Sequence, residues 1–393
     1  MAKICLITSS VFTHGGEQRV TAVIANELMK NNQVIVYTMD TEEDRKKNPY
    51  ELNDKIEIRY TKQPQFGIVN RVVRRLIRDI NEKTTFMYKR NMFYKLLEYA
   101  YFQKKWQNQM VEELTREKYD VIVAVSGGNS LRLGLIADRL DCKTVGWEHN
   151  AYEAYFETPG YYFWHMDQLF GESARRLDNC VVLNEYISGK YKQAFDVECD
   201  VIYNPRSFVS MEKSRLENKT FVACGRFIKQ KGFDLLVESF AEFAKKDDEW
   251  KLVLVGDGEM REQLERTIQN YQLNNRVEIT GYTNNVKQYL KDASVYVLSS
   301  RWEGFPMVLT EAFEMGLPVV AYDITAVAPL IEEGVQGFLA EAFDTHMFAE
   351  RMLNIATMDK TKLQDMANEA IDKAETLAIE KIILQWKQLL QAD

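Results

Sequence analysis

Cysteine is scarce and scattered. The five cysteines of this 393-residue chain, Cys5, Cys142, Cys180, Cys199 and Cys224, include no Cys-x-x-Cys pair. That excludes a disulfide-stapled scaffold and the usual zinc and dithiol motifs. Four of them lie in or beside apolar runs and read as reduced core residues. Long hydrophobic runs are missing as well. No stretch approaches the ~18 apolar residues of a membrane-spanning helix, and the run at 4–8 is too short for a signal peptide. A cytoplasmic location is the expectation. Positive charge is not in excess either, since 50 Lys/Arg face 58 Asp/Glu for a net −8. A surface that binds nucleic acid over its whole extent is thereby excluded. What is present is an ordinary globular composition, 46% hydrophobic and 27% charged, and length for about two domains of ~100–200 residues.

Short β-branched and aliphatic runs recur between helix-length amphipathic segments. Residues 3–8, 34–38, 121–125, 144–147, 180–183 and 201–202 read as buried strands in the first half. Residues 221–224, 251–255, 277–280, 295–298 and 318–321 do so in the second. Continuous apolar strands alternating with helices predict parallel sheets covered on both faces, and two such sets predict two doubly wound α/β domains. The Asn204-Pro205-Arg206-Ser207 turn marks the seam, giving a first domain at 1–204, a second at 205–375 and a helical tail at 376–393. Ligands of open parallel sheets bind beyond the carboxyl ends of the strands, so a cleft between the domains is the expected active site.

One region breaks this rhythm. Residues 62–105 hold eleven Lys/Arg against three acids, a local +8 that leaves −16 for the remainder. Aromatics are interleaved up to Trp106, and Val72, Val73, Leu76, Ile77 and Ile80 follow helical spacing. The 62–106 segment therefore reads as a basic amphipathic insertion suited to an anionic membrane surface. The alternative is a solvated helical pair whose aromatics pack on the first domain.

Three strings carry chemistry. Strand 3–8 runs toward Gly15-Gly16, with a helix expected from about Arg19. Such a glycine turn lets backbone amides approach a phosphate. It is not Gly-x-Gly-x-x-Gly and no Walker lysine follows, which disfavours dinucleotide and P-loop readings. In Gly225-Arg226-Phe227-Ile228-Lys229-Gln230-Lys231-Gly232, Arg226 ends a buried strand and Lys231 precedes a helix. Both cations are thus aimed beyond the strand ends, where a diphosphate is their natural target. In the third string, Glu303-Gly304-Phe305-Pro306-Met307 follows strand 295–298 and Glu311 comes eight residues after Glu303. A helix beginning after Pro306 carries Glu311 about one and a half turns in. Two carboxylates here can accept hydrogen bonds from sugar and ribose hydroxyls; a helix-face carboxylate without a role is the alternative.

Together these residues resemble the retaining, nucleotide-sugar-dependent glycosyltransferases of family four, with the GT-B fold of two facing Rossmann-like domains. The resemblance spans nearly the whole chain: Gly15 and Gly16 as the Gly-Gly loop, Gly225, Arg226, Lys231 and Gly232 as Gly-Arg-x4-Lys-Gly, and Glu303 and Glu311 as Glu-x7-Glu. His149 in Trp147-Glu148-His149-Asn150 matches the family's first-domain histidine. The resemblance implies that Arg226 and Lys231 hold the donor diphosphate and steady the leaving group. Glu303 and the loop amides around Gly304, Phe305, Pro306 and Met307 would grip the transferred sugar, and Glu311 the ribose. His149 would touch the sugar, and Tyr282 in Gly281-Tyr282-Thr283 would contact the base. The tail would pack back on the first domain.

The implied reaction moves a hexose or N-acetylhexosamine from a UDP-sugar to a saccharide acceptor by front-face attack, with retention and with the leaving phosphate oxygen as base. The chain has no Asp-x-Asp motif, so no metal cofactor is expected and the two cations supply the positive charge. The basic insertion suits a lipid-linked acceptor at the inner membrane face, as in surface polysaccharide assembly. The loop reads Glu-Gly-Phe-Pro where many family members have Glu-Gly-Phe-Gly. A sugar-nucleotide 2-epimerase and a non-catalytic sugar-nucleotide binding protein share the implied fold and are the alternatives.

Overall fold

Runs of Val, Ile and Leu lose little by being stiff and gain by burial, so they form the central strands of parallel sheets. The computed structural model describes residues 1–62, 67–88 and 90–391. It divides into a first unit, Met1–Tyr203 with the segment from Ile382 onward, and a second, Asn204–Lys381. Residues 63–66 and Lys89 of the basic insertion lie outside the described residues.

The first unit holds β1 (Lys3–Thr8), β2 (Gln33–Thr38), β3 (Glu57–Tyr60), β4 (Val121–Val125), β5 (Lys143–Trp147), β6 (Asn179–Val182) and β7 (Asp200–Val201). They make one parallel sheet in the order β3-β2-β1-β4-β5-β6-β7. The second unit holds β8 (Thr220–Cys224), β9 (Lys251–Val255), β10 (Val277–Gly281), β11 (Val295–Leu298), β12 (Val319–Tyr322) and β13 (Gly337–Ala340). Their order is β10-β9-β8-β11-β12-β13, again all parallel. Strand order reverses at β1/β4 in one sheet and at β8/β11 in the other, and these switch points open crevices at the carboxyl ends.

Two strands escape the sequence pattern. β3 has no fully buried residue, one exposed position being followed by three part-buried ones, and β13 is short with a half-buried middle. Both are edge strands, covered on fewer sides, so neither needs a continuous apolar run. A further correction concerns the first helix, which starts at Gly16 rather than near Arg19. Gly15, Gly16 and Glu17 therefore belong to its opening turn.

The insertion divides its residues between both expected roles. Tyr94, Tyr101 and Phe102 pack against the buried cluster of Tyr155, Phe156 and Phe170, and Trp106 against the core around Ile7 and Tyr37. Helix Ile68–Lys83, by contrast, turns its polar side inward. Arg74 donates to the carbonyls of Ala100 and Tyr101 at 2.9 and 3.2 Å, and the fully buried Asn81 donates to the His165 carbonyl at 2.8 Å. Its apolar stripe is left in solvent: Val69 is 78% exposed, Val72 53%, Leu76 57% and Ile80 50%.

The tail ends in helix Ile379–Leu390. Trp386 is buried with its ring edge on Trp147, centroids 4.6 Å apart, and Lys143 Nζ donates to the Leu389 carbonyl at 2.7 Å. The second unit centres on Phe221, Phe240, Phe243 and Trp250, with Phe221 and Trp250 only 4.5 Å apart. Truncating a fully buried tryptophan leaves a cavity its neighbours cannot close. Trp386→Ala is therefore expected to destabilise the first unit by about 3–5 kcal/mol, and Trp386→Phe by less. Guanidinium unfolding, followed by the fluorescence of the remaining tryptophans, measures both.

Candidate active site

In the second unit, β8 and β11 are neighbours, so the loops that follow them run side by side. The first loop passes Gly225 and Arg226, makes one 3-10 turn over Lys229–Lys231 and enters helix Phe233–Phe243 through Gly232. Gly232 has φ +64°, and a side chain there would collide with the Ser299 carbonyl of the second loop. The glycine is thus required by both a left-handed turn and a close approach.

Hydrogen bonds lace the two loops together. Ser299 Oγ donates to the Lys231 carbonyl at 3.0 Å, the Arg301 amide to the Gln230 carbonyl at 2.7 Å, and Gln230 Nε2 to the Trp302 carbonyl at 3.1 Å. Arg301 also forks onto both oxygens of Asp234 at 2.8 and 2.7 Å. Burial opposes charge on Asp234, but the guanidinium outweighs it and holds the carboxyl below its usual range.

The laced loops bring together Lys231 and Glu303, 72 residues apart in sequence. Lys231 Nζ meets Glu303 Oε1 at 2.7 Å, and Ser300 Oγ donates to the same oxygen at 2.6 Å. Glu303 is only 5% exposed, so its charge needs these partners. Arg226 is exposed and, among the described residues, its side chain has no partner. Glu311 is buried on helix Met307–Glu314, which begins directly after Pro306. Pro306 has no N–H, so the loop's backbone donors are Gly304, Phe305 and Met307. In the helix's first turn the Leu309 amide donates to the Pro306 carbonyl at 2.9 Å, while those of Met307 and Val308 have no intrahelical acceptor. Tyr282 stands apart on the surface, its hydroxyl on Asn284 at 2.8 Å.

In the first unit the neighbouring ends of β1, β4 and β5 gather a second group of residues. The Gly15 amide donates to the Tyr50 hydroxyl at 2.8 Å. Glu17 bonds the Ser126 hydroxyl, and burial raises its pKa. Ser126 itself has φ +77°, a strained conformation for a residue with a Cβ. His149 packs its ring on Trp147 at 4.4 Å. The residue is part-exposed, yet Nε2 is covered and has no partner among the described residues. Burial lowers its pKa to about 3, so the imidazole is neutral.

Beside it, Glu148 is fully buried and neither carboxyl oxygen has a hydrogen-bond partner of ordinary geometry among the described residues. The Ser130 and Tyr155 hydroxyls lie close to it, but Ser130 donates to the Ala124 and Ser126 carbonyls, while the Tyr155 oxygen accepts from the Gly127 amide. Burial pushes the Glu148 pKa up to about 8, with Glu17 adding to the rise. His149 is singled out by its motif in the sequence, whereas Glu148, Glu17, Ser126 and the Arg301–Asp234 pair are not. A carboxylate ending an apolar strand was the available signal for Glu148; nothing local marks Ser126.

Two parallel switch-point units of this kind define the GT-B fold. Over residues 209–373 the chain matches the family described as glycosyl transferases group 1. It is 30% identical over 288 residues to a glycosyltransferase of Haemophilus influenzae described as uncharacterized, covering 71% of this chain and 79% of that one. It is 24% identical over 286 residues to a poly(ribitol-phosphate) alpha-N-acetylglucosaminyltransferase of Staphylococcus aureus, 72% of this chain and 57% of that one. The crystal structure of Anabaena Alr3699/HepE in complex with UDP superposes with a TM-score of 0.76 at 18% identity, over 99% of both chains. The chain belongs to the group 1 glycosyl transferases.

Glu148 makes stability depend on pH. In the unfolded chain it ionises near 4.5, while the folded chain keeps its proton up to about pH 8. The folded state therefore binds more protons between those values, and stability falls as pH rises through that window. Its favourable contribution is complete below pH 4.5 and gone above pH 8. Glu148→Gln should abolish this slope, so wild type loses stability relative to the variant, on the order of a few kcal/mol from pH 5 to pH 8. Urea unfolding of both proteins at the two pH values checks it; parallel curves would overturn the assignment.

Proposed function

We propose that the chain is a retaining, metal-independent glycosyltransferase. It moves a hexose or N-acetylhexosamine from a UDP-sugar to a saccharide acceptor that is lipid-linked, in surface polysaccharide or glycolipid synthesis. The observation that carries the proposal is the Lys231–Glu303 pair at the β8/β11 switch point. A lone buried carboxylate or a lone lysine fits many roles. The two together, beside the unpartnered Arg226 and a helix start rich in amides, fit a diphosphate joined to a hydroxyl-bearing sugar. A structural neighbour described in complex with UDP and a relative described as a poly(ribitol-phosphate) alpha-N-acetylglucosaminyltransferase support the same donor and acceptor classes.

In the resting chain Lys231 and Glu303 neutralise one another. A bound diphosphate draws Lys231 and Arg226 onto its oxygens, and Glu303 turns to accept from sugar hydroxyls. Glu311 accepts from the ribose, and the Gly304, Phe305 and Met307 amides complete the sugar's contacts. Tyr282 is assigned to the base. On the first unit, Gly15, Gly16 and His149 are assigned to the donor phosphate and sugar. The acceptor hydroxyl attacks the anomeric carbon on the face the diphosphate leaves. The bond from that carbon to the phosphate oxygen breaks, a new glycosidic bond forms, and the acceptor proton passes to the departing phosphate oxygen. Arg226 and Lys231 stabilise the charge that develops there, a task a metal ion performs elsewhere.

The exposed face of helix Ile68–Lys83 is assigned to an anionic bilayer at the inner face of the cell membrane, near the lipid-linked acceptor. Val69, Val72, Leu76 and Ile80 would enter the interface, flanked by Arg71, Arg75 and Arg78. No helix of the described residues is long and apolar enough to cross a membrane.

Two measurements test this reading. Lys231→Ala and Glu303→Ala should each lower turnover at least ~10²-fold, with EDTA leaving the wild-type rate unchanged and a donor-only incubation returning no epimerised sugar nucleotide. Wild-type rates in either folded variant would overturn the site. In sedimentation with anionic liposomes at low salt, the wild type should pellet, and Arg71→Glu, Arg75→Glu and Arg78→Glu combined should not. Arg74 is spared because it fastens the helix. A soluble wild type would remove the membrane from the proposal.

A further inference from the structure

β1 ends at Thr8 beside the β1/β4 switch point, and the chain then passes through the glycine loop into helix Gly16–Leu28. The segment between β2 and β3 comes back to that loop, and its turn at residues 48–53 is held in an unfavourable backbone conformation. Asn48 and Glu51 both have positive φ, +26° and +52°. Residues with a Cβ keep such angles where their surroundings impose them, and outliers of this kind gather at ligand clamps. Two asparagines impose them here. The Asn48 side chain accepts from the Leu52 amide and donates to the Leu52 carbonyl, both at 2.9 Å. Asn26, on helix Gly16–Leu28, donates to the Glu51 carbonyl at 3.0 Å and accepts from the Asn53 amide at 2.9 Å. Leu52, at the centre of these bonds, is buried.

Between the two strained positions stands Tyr50. Its hydroxyl oxygen accepts from the Gly15 amide at 2.8 Å. Its ring meets His14 edge-on, centroids 6.1 Å apart, and the Arg19 guanidinium lies over the same ring at 5.2 Å. The Gly15 amide is therefore already engaged and does not reach a phosphate directly while that bond lasts. The phenol proton, by contrast, has no acceptor among the described residues, and Tyr50 is part-exposed. A hydroxyl that accepts from an amide is polarised into a better donor, and the cation on the ring places positive charge beside it.

We propose that Tyr50 is a further nucleotide-sugar-binding residue, its hydroxyl, seated on the Gly15 amide, donating to an oxygen of the diphosphate. This rests on the glycosyltransferase reading and refines its assignment of Gly15, whose amide acts through the phenol. A hydroxyl donating to an anionic oxygen makes a charge-assisted bond, stronger than one between neutral groups. The asparagine clamps fix the phenol in advance, so little freedom is lost when the ligand arrives.

The test is isothermal titration of the full chain with UDP and with uridine, which differ by the diphosphate. The wild type should prefer UDP. In folded Tyr50→Phe the UDP affinity should fall at least about tenfold, the scale of one hydrogen bond to a charged group, and the uridine affinity should stay the same. A role confined to bracing the loop would lower the melting temperature and leave the ratio of the two affinities unchanged. In protein labelled with fluorotyrosine, the fluorine resonance missing from Tyr50→Phe should move on adding UDP and stay in place on adding uridine. An undiminished UDP preference in folded Tyr50→Phe overturns the proposal, as does a Tyr50 resonance that UDP leaves in place. A wild type that binds UDP no better than uridine would instead sink the diphosphate reading on which the proposal rests.

Discussion

Each sheet starts near its middle and winds outward in both directions. β1 lies between β2 and β4, and β8 between β9 and β11. Because crossover connections are right-handed, the helices that follow the two central strands must lie on opposite faces, and a crevice opens between them. All the chemistry described depends on that constraint. It places Lys231 beside Glu303 and gathers Gly15, Glu17, Ser126, Glu148 and His149 at three adjacent strand ends.

Given the crevice, the loops still have to be held. Helices and strands are fixed by regular backbone ladders and by packing, but the loops after β8 and β11 have only individual backbone and side-chain bonds to fix them. The Arg301–Asp234 fork, the Gln230 bonds and the close approach at Gly232 make those loops one surface. The buried Glu303 then sits where its charge is compensated in the absence of a ligand and where a polyanion can exchange with it.

The first unit works by the opposite means. Glu148 and His149 are kept neutral by burial rather than charged by partners, and the strained Ser126 and the crowded Gly127 follow directly on β4. The surroundings of helix Ile68–Lys83 reverse the usual rule again, with polar residues turned to the protein and aliphatic ones to solvent. A helix of this sequence facing the other way would bury Val72 and Leu76 at a gain. Arg74 and Asn81, anchored to Ala100, Tyr101 and His165, hold it as it is.

The strands with continuous apolar runs, the seam near Asn204 and the loop cations and glutamates were legible in the sequence. Burial on both faces and the turn chemistry of Gly, Pro and Asn are local demands, written residue by residue. The edge strands β3 and β13 were not, because an edge asks less of composition. Nor was the Lys231–Glu303 contact or the buried state of Glu148. Those depend on what lies across from a residue, and partners 72 positions apart meet only when strand order, register and loop lacing are all in place. The sequence by itself determined two parallel α/β units and which residues could carry chemistry. The tertiary structure decided which of them meet, which are neutral and which remain unpaired, because pKa and pairing follow from distance and burial, not from residue type.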